Sequence, residues 1–312
     1  MWLVACGLWL DSAWARSNPS LVAIHSKPNS IASFLRPQTT SETPHSFSLS
    51  AVGDVMLDRY VGREIDRHGT SYPLARVRAL LAKADLVVAN LECPLTSRPK
   101  ELHKTYTFRV PPERVAALKG IDVVSVANNH TLDCGRGGLT DTLAALRGAG
   151  IEVCGIDADP LIIERKGIRI GIIAFSDFPE TVNGGGPGVN YYNPELMKRK
   201  IALAHKTAGF VIVLAHWGIE GDSTPSDRQR REAKELAADG ADLILGAHPH
   251  VLQPVDRIGK TVVAYSMGNF VFDPPNAKQA STAVFQFEIG NDGVGSSKLI
   301  PCRIRHEQPA PS

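Results

Sequence analysis

The sequence predicts an α/β domain of the layered-sandwich type, and two observations carry that prediction. From Phe47, apolar runs of five to eight residues alternate with helix-like segments through residue 250, after which strands follow one another with little helix between. Several runs are apolar on both faces, the pattern of strands covered by helices on one side and by another layer on the other. A layered sandwich closed by an antiparallel hairpin portion is preferred to a (β/α)₈ barrel.

The chain opens with Met1 to Leu10, almost wholly apolar, followed by the small-x-small pattern Ala13-Trp14-Ala15. This reads as an export signal over residues 1–15 that lacks a basic start and carries Asp11. Ten apolar residues are too few to span a bilayer. Leu3-Val4-Ala5-Cys6 also resembles a bacterial lipoprotein box, which would lipidate Cys6 and anchor an exported protein to the cell envelope. Residues 16–46, rich in Ser, Pro, Thr and Asn and without a period, are expected to be a flexible linker. The folded domain is placed at 47–306 and a disordered tail at 307–312.

Within the domain, strands are expected at 48–57, 86–91, 123–127, 152–155, 169–175, 210–215, 243–246, 261–266, 282–289 and 298–305. Two helices are well punctuated. Asn193-Pro194-Glu195 supplies a cap, a first-position proline and a first-turn acid, with Gly209 beyond the end. Ser226-Asp227-Arg228-Gln229 fits a capping box, and Gly240 can end its helix. Further helices are read at 74–83, 112–118 and 138–147.

Composition excludes little. A hydrophobic content of 43% with 21% charged residues is ordinary for a globular chain, and a net charge of +2 without like-charge runs argues against a nucleic-acid-binding surface or a polybasic membrane patch. Cys93, Cys134, Cys154 and Cys302 show no C-x-x-C spacing; either two of them pair or all four are small buried hydrophobes.

Chemistry gathers at strand ends. Five runs empty into loops rich in metal-competent residues: Gly53 to Arg59, Asn90 to Glu92, Asn128 to Gly135, His216 to Gly218, and Gly246-Ala247-His248-Pro249-His250. Open α/β sheets bind ligands at the carboxyl ends of their strands, so these loops should converge. Two carboxylates, an Asn and three His suit one or two divalent cations such as Mn²⁺, Fe²⁺ or Zn²⁺ better than Ca²⁺.

These residues stand in ordered motifs: G-D-V-M-L from Gly53, N-L-E-C-P-L-T from Asn90, A-N-N-H-T-L-D-C-G from Ala127, A-H-W-G-I-E from Ala215, G-A-H-P-H-V-L-Q-P from Gly246 and Y-S-M-G-N-F-V-F-D from Tyr265. From about residue 47 to about 275 the chain resembles the bacterial CapA, or poly-γ-glutamate synthesis, proteins, which are related to the calcineurin-like metallophosphoesterases. The resemblance implies a four-layer α/β/β/α sandwich and a binuclear-type metal centre. It implies Asp54 and His250 as ligands of a first metal, Asn129, His216 and His248 as ligands of a second, and Glu92 as a bridge. His130 would be the proton donor to the leaving group. The implied activity is hydrolysis of a phosphoester or of an anionic surface polymer; the alternative is a non-catalytic envelope subunit that binds partner synthase proteins at the membrane.

One position departs from the metallophosphoesterase pattern. Met56 stands where that motif, D-x-H, has a histidine, so the first site is short of a ligand unless Asp58, a neighbour or water fills it. Remaining candidates are Asp133, to orient His130; Asn90, beside Glu92; Lys104 and Arg109, for an anionic substrate; and Asn269, to order a loop or touch substrate. Gly184 to Gly188 could form a lid or a plain connection, and Trp217 a stacking wall or core packing.

Overall fold

A computed structural model describes residues 46–157, 160–180 and 187–312. The expected export signal, Cys6 and the linker as far as residue 45 lie outside the described residues, as do Gly184 to Gly186 of the glycine-rich loop.

The chain begins β1 (Ser46–Val55), α1 (Arg59–His68), α2 (Arg78–Leu81), β2 (Leu86–Leu91), a 3₁₀ helix (Pro112–Leu118), β3 (Val123–Ser125), α3 (Gly135–Gly148) and β4 (Glu152–Cys154). There follow β5 (Leu161–Arg165), β6 (Ile168–Ser176), α4 (Pro194–His205), β7 (Phe210–His216), α5 (Asp227–Ala238), β8 (Leu243–Ala247), β9 (Val255–Ile258) and β10 (Thr261–Ala264). It closes with β11 (Asn269–Val271), β12 (Ser281–Gly290), β13 (Gly293–Arg305) and β14 (Gln308–Pro311).

These strands make two sheets. The first has the order β14-β13-β12-β1-β2-β3-β4, with β11 added alongside β1; β1 to β4 run parallel and the C-terminal strands antiparallel. The second has the order β5-β6-β7-β8-β10-β9 with a parallel centre. Period-two alternation then fixes the layers. On β7, Phe210, Ile212 and Leu214 join a core shared with the first sheet, while Val211, Val213 and Ala215 face Met197, Ile201 and Ala204 of α4 and Ala233 and Leu236 of α5. The shared core also takes in Val61 and Ile65 of α1 and Leu139 and Leu146 of α3. The result is the four-layer α/β/β/α sandwich expected.

The two well-punctuated helices form as read. Asn193 accepts from Leu196 N at 2.9 Å at the start of α4, and Ser226 and Gln229 complete the capping box of α5. Elsewhere the local reading is corrected. The helix expected at 74–83 contracts to α2, and that at 112–118 is 3₁₀. Helix α1 was not anticipated; it starts on Asp58, whose carboxylate accepts from Arg59 N at 2.8 Å, and buries Val61 and Ile65.

The disordered tail expected at 307–312 is instead strand β14, so the fold extends past 306. His306 and Glu307 both take left-handed angles (φ 52° and 58°), which turns the chain back so that Gln308 pairs with Arg305. Gln308 is buried and accepts from Arg76 Nε at 2.6 Å. Cys93, Cys134, Cys154 and Cys302 are free and buried, the second of the two alternatives. No helix among the described residues is long and apolar enough to cross a membrane.

Candidate metal centre

All five polar strand ends converge where the carboxyl ends of the two sheets meet. Asp54 is the penultimate residue of β1, Glu92 follows β2, Asn128 to Asp133 follow β3, His216 ends β7, and His248 and His250 follow β8. Two glycines let the connection from Tyr265 to Gly268 pass tight against β1 and β8. A Cβ on Gly53 would stand 1.8 Å from the carbonyl oxygen of Gly268, and one on Gly246 would stand 1.9 Å from that of Tyr265. His248 and His250 hold left-handed angles (φ 93° and 55°), a strained setting for two non-glycine residues in one loop.

Glu92 lies at the focus. It is fully buried, neither carboxylate oxygen has a hydrogen-bond partner among the described residues, and three imidazoles surround Oε1: His216 Nε2 at 3.6 Å, His250 Nε2 at 3.7 Å and His130 Nε2 at 4.0 Å. Glu92, His248 and His250 offer donor atoms within 4.8 Å of one another. His248 Nδ1 is also buried and without a partner among the described residues. Asn129 Oδ1 and His216 Nε2 meet at 2.8 Å, so the amide oxygen and the imidazole converge on one point.

An orphaned buried carboxylate facing imidazoles is costly unless a proton or a cation sits among them. Burial pushes the Glu92 carboxyl well above its usual range. Burial and the neighbouring histidines hold His216 and His248 well below theirs, which keeps both imidazoles neutral, the form that ligates a metal. Burial also pulls His250 down, but Glu92 and Asp54 outweigh it and push the imidazole up to about 10. The donor set, one carboxylate, one amide oxygen and three imidazoles, fits a divalent cation of intermediate hardness.

Around this focus lies a shell that orients it. Asp54 Oδ1 accepts from Asn90 Nδ2 at 2.8 Å, and its Oδ2 accepts from His248 N at 3.2 Å and lies 3.2 Å from His250 Nδ1. Asp54 thus reaches the centre with its oxygens already engaged by donors. Asn90 Nδ2 is also 3.2 Å from His216 Nδ1, and Asn128 holds Asn90 from behind at 3.2 Å. His130 Nδ1 donates to Asp133 Oδ2 at 2.9 Å; that oxygen also accepts from Phe108 N at 2.6 Å. Burial lowers the His130 pKa against the pull of Asp133. Asn269 Oδ1 is 2.9 Å from His250 Nδ1.

Lys104 sits at the edge, its ammonium bonded to the Asn129 carbonyl and Glu180 and 2.8 Å from Asp133 Oδ1. It braces the loop that carries His130, and its ammonium is held by Glu180 and Asp133.

Two expected residues stay out of the centre. Asp58 is not a replacement ligand: its second oxygen accepts from Arg109 N at 2.9 Å while the first caps α1. Arg109 reaches it only through its backbone and exposes its side chain. Met56 is fully buried, with its sulfur accepting from Asp58 N at 3.0 Å. Trp217 is buried too and donates to the Tyr265 carbonyl at 2.9 Å, which makes it core. Sequence reasoning missed Asn128, Phe178, whose ring lies 4.0 Å from that of His248, and Phe108, 4.2 Å from His130. Asn128 stood within a quoted motif; the two phenylalanines carried no signal beyond hydrophobicity.

Fold and centre together define a four-layer α/β/β/α protein with a carboxylate, amide and imidazole donor cluster at its strand ends. The family model described as the bacterial capsule synthesis protein PGA_cap matches residues 48–274, and the chain belongs to that family. It is 34% identical over 293 residues to the PGA biosynthesis protein CapA of Bacillus subtilis, covering 88% of this chain and 76% of that protein. It is 32% identical to the capsule biosynthesis protein CapA of Bacillus anthracis, over 85% of this chain and 69% of that one. A hypothetical protein from Thermus thermophilus shares the fold at a TM-score of 0.51 and 15% identity, over 83% of this chain and 100% of that chain.

Proposed function

We propose that the protein is a metal-dependent hydrolase of capsule or poly-γ-glutamate synthesis, acting on an anionic surface polymer or a phosphoester. The observation that carries this reading is Glu92, a fully buried carboxylate with no hydrogen-bond partner among the described residues and imidazoles on three sides. Glu92, His248, His250, His216 and Asn129 would hold one or two divalent cations, Mn²⁺, Fe²⁺ or Zn²⁺ in character, with Asp54 completing the shell. Such a cation supplies Lewis acidity at the scissile bond.

The chain's own residues supply the rest. Asp133 accepts a hydrogen bond from His130 Nδ1 and so fixes the ring with Nε2 toward Glu92; in the imidazolium form, which Asp133 favours against burial, Nε2 can give its proton to a leaving oxygen or nitrogen. Phe108, Phe178 and Phe272 lie against His130, His248 and His250 and limit water on that side. The membership of the chain in the PGA_cap family supports the polymer as substrate. The first fifteen residues support an exported, envelope-anchored placement, which the N-terminal sequence of protein from fractionated cells would check.

Metal analysis of protein purified without added metal, followed by assays on a phosphodiester and on poly-γ-glutamate, tests the reading. Glu92→Gln is expected to lose metal. His130→Ala is expected to retain it and to lose about a hundredfold or more in turnover. A wild type that binds no added Mn²⁺ or Zn²⁺ and cleaves neither substrate would favour the scaffold role at a membrane synthase instead.

A further inference from the structure

Helix α1 sets a second group of side chains beside the centre, one that the proposed chemistry does not use. Arg59, its first residue, holds a left-handed backbone angle (φ 51°), as the ligand-bearing histidines do. Its guanidinium donates from Nε to Asp273 Oδ2 at 2.9 Å and from Nη2 to Asp273 Oδ1 at 2.5 Å. The same guanidinium lies 5.5 Å from the Tyr106 ring and 5.7 Å from the Phe108 ring, and Phe108 packs on His130 at 4.2 Å. One turn along the helix, the Arg63 guanidinium lies 4.7 Å from the ring of Tyr60.

Four features of this group point to a ligand. Tyr60 and Tyr106 are 56% and 58% exposed, large aromatic surface left in water with an arginine over each ring. The carboxylate that holds Arg59 is itself nearly buried, so it fixes the guanidinium plane. A guanidinium carries five N–H groups; Asp273 takes two, and no other acceptor among the described residues claims the remainder. Arg63 is exposed and has no acidic partner among the described residues, so it contributes the uncompensated charge. The two arginines stand four residues apart, about 6 Å along the helix axis, and so could meet successive charges of one chain.

We infer that Arg59, Arg63, Tyr60 and Tyr106 form a track that holds successive carboxylates of a glutamate-type polymer and leads that chain to His130. Planar guanidinium forks match carboxylates in two-point contact, and the tyrosine faces pack against the methylenes and peptide planes between them. The choice of a carboxylate polymer rests on the function proposed above; the existence of an oxyanion track rests on the geometry alone.

The test is binding without turnover. Full-length protein treated with a chelator is titrated with fluorescent poly-γ-glutamate, with a glycerol-phosphate polymer and with free glutamate. Wild type is expected to bind poly-γ-glutamate in a salt-sensitive manner and free glutamate far more weakly. Arg63→Gln and Tyr106→Ala, both at exposed positions, should each weaken binding about fivefold to tenfold without changing the melting temperature. Arg59→Lys, which keeps the charge and loses the fork, should weaken it comparably.

Unchanged binding in Arg63→Gln and Tyr106→Ala overturns the track. Equal or tighter binding of the glycerol-phosphate polymer overturns the carboxylate assignment. If metal-loaded wild type cleaves nothing while these binding losses stand, the hydrolase reading fails and the track survives; the converse result separates them the other way.

Discussion

His248 and His250 take backbone angles that a histidine adopts only when its surroundings hold it there, and their supports differ. His248 N donates to Asp54, whereas His250 is fastened by its ring, through Nδ1 to Asn269 Oδ1 at 2.9 Å. Asn269 also donates through Nδ2 to the His250 carbonyl at 3.3 Å, so one amide grips both the ring and the backbone of the same residue. Asn269→Ala is therefore expected to weaken metal binding about tenfold to a hundredfold, measured by competition with a chromophoric chelator. Affinity equal to wild type would show that strain alone sets His250. His250 and Asn269 lie in separate motifs, and the sequence marked Asn269 only as a residue to order a loop or touch substrate. Its particular partner depends on β11 lying beside β1, a pairing no local pattern announces.

At the scale of elements, α1 connects stability to function. Asp58 caps this helix, and Arg59 and Arg63 project from it. Asp58→Ala should lower stability by about 1 kcal/mol, read as a fall of a few degrees in melting temperature, and leave metal content unchanged. A loss of metal with unchanged melting temperature would restore Asp58 as a ligand.

The helix escaped the sequence reading because the run from Arg59 to His68 has few apolar residues and carries Gly62 in its middle. A Cβ at Gly62 would meet Arg114 Nη1 at 2.4 Å, so a larger residue would push aside the guanidinium that bonds the Leu57 carbonyl, a tertiary contact absent from the local pattern. Strand β14 was missed for a related cause: its turn uses His306 and Glu307 at positive φ, with none of the Gly or Asn that usually signals a hairpin. By contrast α4 and α5 were legible because their caps are local, and the central strands because burial on both faces leaves continuous apolar runs.

Across the whole molecule, a charge cluster on the α5 side of the second sheet should govern how stability varies with pH. Arg228 bonds Glu232 Oε1 at 2.7 Å and Asp177 Oδ1 at 2.6 Å, so two carboxyls share one guanidinium. Burial, reinforced by Asp177 and opposed by Arg228, pushes Glu232 up to about 7. A carboxyl raised on folding favours the native state in its neutral form. Its contribution is complete below the ordinary carboxyl range and is lost as pH rises through about 7. Melting temperatures recorded from pH 4 to 8 should therefore decline less steeply in Glu232→Gln than in wild type, and parallel curves would refute the assignment.

The donors of the centre come from opposite sides of the sandwich. Asp54, Glu92 and Asn129 extend from strands of the first sheet, and His216, His248 and His250 from strands of the second. A cation bound among them would be a clasp between two slabs that meet through apolar side chains and a few hydrogen bonds such as His248 N to Asp54, and it would resist their sliding apart. Occupancy at a hundred times the dissociation constant adds about 2.7 kcal/mol to the native state. A calorimetric melt should thus rise with added Mn²⁺ or Zn²⁺ in wild type and stay flat in Glu92→Gln.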